Sequence, residues 1–238
     1  MKKKLTLLTL AVLSAVSLQA ANPGFHVRNY SLTGMVEYSY NRTWSHHANF
    51  DIQAFMPINQ HFEMEAKTQF STANVHTGAL YLRPKFDLPV GQLFIETDII
   101  YRAIARNRLA DIDAAIGLGY RMDYVSVTLG LYSRVLDNWD RQWHDNETFV
   151  VEPFNLLYRI EVFCRPQTNN WNLSFCFSNV DDYQMERMWQ PLFMAGAWYD
   201  VAEHWRLLFW AQCKPTGMFH LDATFYGATF RTGFSYTF

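Results

Sequence analysis

The last nine residues read Phe230-Arg231-Thr232-Gly233-Phe234-Ser235-Tyr236-Thr237-Phe238. Side chains two apart on a strand point the same way, so Phe230, Phe234, Tyr236 and Phe238 share one aromatic face. Arg231, Gly233 and Ser235 fall on the other. A soluble sheet does not normally leave so aromatic a face open to water. The stretch therefore predicts a strand with one side in an apolar medium.

The same alternation runs back along the chain. Half of the residues are hydrophobic and 17% are aromatic. Yet after residue 20 no apolar run approaches the ~20 residues a spanning helix needs. High apolar content without apolar runs means interleaving, the pattern of strands with one face to lipid and one to a lumen. Residues 31–40 set Leu32, Val36, Tyr38 and Tyr40 against Thr33, Glu37 and Ser39. Residues 49–56 set Phe50, Ile52, Ala54 and Met56 against Asp51 and Gln53. Strands are likewise predicted over 62–70, 80–87, 93–102, 111–121, 124–135, 149–163, 171–179, 189–199, 205–213 and 221–238. The fold class is all-β, a transmembrane antiparallel up-and-down β-barrel of about 12 strands, or about 10 if a hairpin is misread. Twelve tilted strands enclose a backbone radius of roughly 12 Å.

At the other end, Lys2, Lys3 and Lys4 precede an apolar stretch from Leu5 to Val16 that closes on Ser17-Leu18-Gln19-Ala20. This layout predicts a cleavable signal peptide over residues 1–20 and a single barrel domain over 21–238. Its removal takes three of 20 basic residues and none of the 22 acidic ones. The resulting acidic balance argues against nucleic acid as a partner.

The terminal face resembles the last strand of bacterial outer-membrane β-barrel proteins. That resemblance implies that Phe234, Tyr236 and Phe238 form the signal read by the barrel-assembly machinery. It also implies location in the bacterial outer membrane, with outer-membrane lipid as a partner. Short turns at 57–60, 88–91, 121–123 and 165–170 then face the periplasm, and longer polar loops face outward, above all 136–148. Tyr38, Tyr40, Trp44, Trp189, Tyr199, Trp205 and Tyr236 read as interfacial girdles.

Cys164 and Cys213 fall on the outward face and Cys176 on the inward one, so no cross-strand disulfide is expected. The inward face carries the most specific pattern. Glu63 and Glu65 should meet Lys85 and Arg83, these should meet Glu96 and Asp98, Asp98 should lie near Asp113, and Asp111 or Asp113 near Arg134. So many charges on one face would be ruinous in a dry core, so the belt predicts a wet or fully paired lumen. The leading function is a narrow passive channel for small polar or charged solutes.

Two other readings stay open. Residues 138–144 place Trp139, Arg141 and Trp143 on an external loop of interface composition, suited to a structural or interaction barrel. Asp111 and Asp113, with His220 and Asp222 across the mouth, resemble the acidic and Asp/His site of omptin-type barrel proteases, which implies a barrel hydrolase. Here the His/Asp order is reversed and Asp222 falls on the outward register. His46, His47, His76 and His144 map to external loops as solvated groups, and neither a metal site nor a cofactor is expected.

Overall fold

The computed structural model describes residues 29–42, 45–104, 109–138, 149–164, 170–217 and 224–238. Residues 1–20, Trp139, Arg141, Trp143, His144, His220 and Asp222 lie outside the described residues. Twelve strands form: β1 (Ser31–Asn41), β2 (Ser45–Asn59), β3 (Phe62–Ser71), β4 (Val75–Asp87), β5 (Gln92–Ile104) and β6 (Leu109–Arg121). They continue as β7 (Val125–Asn138), β8 (Phe149–Cys164), β9 (Trp171–Ser178), β10 (Leu192–Ala202), β11 (Trp205–Thr216) and β12 (Thr224–Thr237). Each pairs with its sequence neighbours, and β1 pairs antiparallel with β12 from Ser31↔Thr237 to Asn41↔Gly227, closing the ring.

Closure follows from the solvent. Lipid offers no hydrogen bonds, so a sheet crossing it cannot leave an edge unpaired. The alternation then sorts the two faces. Val36, Ile116, Phe230 and Phe234 are 57%, 60%, 57% and 58% exposed on the outside, while Glu37, Asp51 and Asp113 are 3%, 0% and 2% exposed within. This inverts the pattern of a soluble protein. At the end carrying the termini, the rings of Trp205 and Tyr236 lie 5.0 Å apart, as do those of Tyr236 and Phe238 and those of Trp171 and Tyr199.

Several elements differ from the sequence reading. β2 runs through Pro57 and Asn59, which were expected in a turn, because a register shift there accommodates the proline. It also takes in His46 and His47, and β4 takes in His76, so these three stand on strands rather than in loops. The β3–β4 connection, at the end opposite the termini, is only residues 72–74, made tight by Asn74 at φ 59°. External connections are thus not uniformly long. The tenth strand begins at Leu192 rather than Trp189, and the twelfth is described from Thr224, residues 221–223 lying outside the described residues. Cys164 and Cys213 are exposed on the outer face, Cys176 is buried, and all three are free.

The seam has little slack. A Cβ on Gly233 would run into the carbonyl of Gly34 and the side chain of Met35. Gly233→Val should therefore cost roughly 1–3 kcal/mol by overpacking. Denaturant unfolding followed by the heat-dependent gel shift of the barrel checks this. An unshifted midpoint would show that the seam can relax.

Candidate functional site

The site is built where one strand stops early. β8 continues to Phe149, but its pairing with β9 begins only at Arg159↔Ser178, because the chain leaves the sheet after Ser178. The amides of β8 beyond that point lose their ladder partner, and Asn179 takes over. Its Oδ1 accepts from the Tyr158 N–H at 2.8 Å, and its Nδ2 donates to the carbonyls of Leu156 and Glu186, each at 2.8 Å. The backbone N–H of Asn179 donates to the Tyr158 carbonyl at 3.2 Å. One fully buried carboxamide thus replaces missing rungs and ties both stems of residues 179–191 to the wall.

Residues 180–188, left by the strand reading as an external connection, fold into the lumen with their stems. Val180 and Met185 form an antiparallel bridge, and the Asp181 N–H donates to the Gln184 carbonyl at 3.0 Å. On one side Val180 and Met185, both fully buried, pack against Tyr81, Ile100, Tyr132 and Leu157. On the other side the segment is held by charge. Asp182 accepts from Lys67 Nζ at 2.5 Å and Arg231 Nη1 at 2.9 Å, and its carbonyl accepts from the Tyr81 hydroxyl at 2.5 Å. Arg134 donates to the Met185 carbonyl, and Lys214 pairs with Glu186. Burial disfavours the Asp182 charge, but the pull of Lys67 and then Arg231 outweighs it and holds the carboxyl below the usual range. For Glu186 burial prevails over Lys214, and its carboxyl is pushed up.

The inward charges form short pairs along the β3–β8 wall. Lys85 donates to Glu63 at 2.5 Å, and Arg83 reaches Glu65 at 3.5 Å and Glu96 at 2.8 Å. Arg159 meets the other Glu96 oxygen at 3.1 Å. Arg134 grips Asp113 at 2.6 and 2.8 Å, and Arg102 takes Asp111 through Nε at 3.0 Å. Asp98 stands opposite Ala115 rather than Asp113. It is buried beside Glu96.

A second centre was not read from the sequence. Glu37 pairs with Arg231, and Asp51 lies 3.9 Å from the same guanidinium. Together with Lys67, Arg159, Asp182, Glu186 and Lys214, these residues hold the insert. A signal for it exists: Ile99-Ile100 and Leu156-Leu157 break the alternation, placing apolar side chains on both faces at one level. Val180, Tyr183 and Met185 are also unusual in a segment assigned to the exterior.

The space the insert leaves lies mainly along β11, β12 and β1–β4 for the larger cavity and along β8–β12 for the smaller. A vestibule of about 320 Å³ opens toward the end opposite the termini. A smaller cavity of about 110 Å³ lies deeper, against Glu161, Cys176, Met194 and Trp210. Both are bounded by Asp181, Gln212, Thr229 and Arg231, which form a shared neck.

No known protein family matches the sequence, and no curated protein does. Solved structures resemble it in fold. The KdgM porin in complex with disordered oligogalacturonate matches with a TM-score of 0.52 at 11% identity, over 87% of this chain and 99% of that one. The translocator domain of autotransporter NalP from Neisseria meningitidis gives 0.53 at 13% identity, over 96% and 92%. The outer membrane phospholipase A from Escherichia coli, an active-site mutant, gives 0.50 at 11% identity, over 95% and 97%. The fold is that of a bacterial outer-membrane β-barrel, and its apolar exterior fits it to the bilayer. A porin, a translocator and a phospholipase share this frame, so function must be argued from the lumen.

Two predictions follow from the insert's attachment. Asn179→Ala strands the Tyr158 N–H and two carbonyls, at a cost of roughly 1–3 kcal/mol, and should make residues 179–191 sensitive to protease added to intact barrels. Resistance equal to wild type would show that water replaces the amide. Because the Asp182 carboxyl is held low, its contribution is present above the ordinary carboxylate pKa and is lost only as pH falls through the lowered value. Protection of the segment should therefore not be lost between about pH 7 and about pH 4. Protection lost already at about pH 4 would contradict the assignment of Asp182 as the latch.

Proposed function

We propose that this chain is an outer-membrane diffusion channel for small polar solutes, narrowed by the inserted segment. The observation that carries the reading is the neck shared by the vestibule and the deeper cavity, lined by Asp181, Gln212, Thr229 and Arg231. Polar side chains bound the vestibule and the neck, while the deeper cavity also meets Cys176, Val180, Met194 and Trp210. A solute passing the vestibule and neck stays among hydrogen-bonding groups, which limits the penalty of leaving bulk water. The KdgM porin gives a precedent for the frame.

Against a hydrolase, Asp111 and Asp113 each spend their carboxylate on an arginine, Arg102 and Arg134, rather than on a water to be activated. The belt of Glu63, Glu65, Arg83, Lys85 and Glu96 serves in this reading to stiffen a hydrated wall. Residues 1–20 act as the export signal. Phe234, Tyr236 and Phe238 act in assembly, where Phe238→Ala should lower the yield of inserted barrel while the refolded protein keeps its stability.

The channel itself is tested in planar bilayers. The folded protein should give discrete conductance steps, and Asp182→Ala, which frees Lys67 and Arg231, should raise the step size or add flicker. Absence of steps from a sample that is demonstrably folded would overturn the reading.

A further inference from the structure

We infer that the vestibule selects uncharged, hydroxyl-rich solutes, namely small saccharides of one or two rings. This inference rests on the channel reading above. Among the described residues lining the vestibule, Glu37, Asp181 and Glu186 are matched in number by Arg102, Lys214 and Arg231. Each of these charges already has a partner. Glu37 pairs with Arg231, Glu186 with Lys214, and Arg102 with Asp111. Asp181 accepts from the Tyr183 N–H at 2.7 Å and from Gln212 Nε2 at 3.3 Å. The cations are further held to the wall by rings, with Arg231 5.5 Å from the centre of Tyr183 and Lys214 4.8 Å from that of Tyr226.

What the lining leaves available is neutral. Asn49, Gln69, Gln184 and Gln212 contribute amides, each giving one N–H to a carboxylate of Glu37, Glu186 or Asp181 and keeping a second, and Thr77 and Thr229 contribute hydroxyls. Amides and hydroxyls both donate and accept, which matches the sugar hydroxyl group for group. An ion gains no such match. It must either break an existing pair or shed water against groups that carry no net charge. The volume of about 320 Å³ lies at the lower end of the ~300–1,000 Å³ range of small-molecule sites, as one or two sugar rings require.

The test is osmotic swelling of liposomes carrying the folded full barrel, with glucose, glucuronate and glucosamine as probes of one ring size. Glucose should enter roughly tenfold faster than either charged sugar, since about 1.4 kcal/mol of unmatched charge is worth that factor. Reversal potentials in a salt gradient should lie near zero, and Gln212→Glu should shift them toward cations by adding an unbalanced charge at the neck. Equal or faster entry of a charged sugar, or no shift in Gln212→Glu, would overturn the inference while leaving a working channel. Absence of flux for all three sugars from folded barrels would instead overturn the channel reading and the inference with it.

Discussion

The hydrogen bonds of the Asn179 carboxamide are the contact on which the lumen depends. A barrel in lipid must satisfy every backbone group within its wall, and β9 breaks that rule by ending at Ser178 while β8 continues. Asn179 makes the break tolerable by serving as donor and acceptor in place of the absent strand. Only because the wall is repaired there can the chain turn inward instead of extending another hairpin. The wall then divides the work: β4–β8 receives the apolar side chains of the insert, and the larger space is kept along β11, β12 and β1–β4.

The two kinds of contact holding the insert differ in character. Packing of Val180 and Met185 against Tyr81, Ile100, Tyr132 and Leu157 is non-directional and excludes water. The contacts of Asp182 with Lys67 and Arg231 are directional and link β3 and β12, which are separated in the ring by β1 and β2. The first fixes which wall the segment lies on, and the second fixes its depth. Arg231 belongs to both the seam and the lumen, since it also pairs with Glu37 on β1.

The ring itself was legible because its rule has a period of two. Val36, Ile116 and Phe230 on one face and Glu37, Asp113 and Arg231 on the other follow from counting residues, and a lipid exterior makes that pattern obligatory. The pairings of Glu63 with Lys85 and Asp113 with Arg134 follow from turn lengths in the same way. Residues 179–191 obey no period. Their position is set by contacts with β3, β4, β7, β11 and β12, which are distant in sequence, and an asparagine that completes a ladder looks like any loop asparagine. The short external turn at 72–74 was hidden for a similar reason, since it depends on a single backbone torsion at Asn74.

The division between frame and insert bears on how such a protein can change. Beyond Asn179 the inward segment adds no rung to the wall, so its side chains can vary without disturbing the closure that membrane insertion demands. The twelve strands set an upper bound on cross-section, and a short stretch of chain, edited independently, sets the width and chemistry of what remains. On the channel reading proposed above, permeability is thereby separated from foldability, and a lineage can explore new solutes while the frame stays the same.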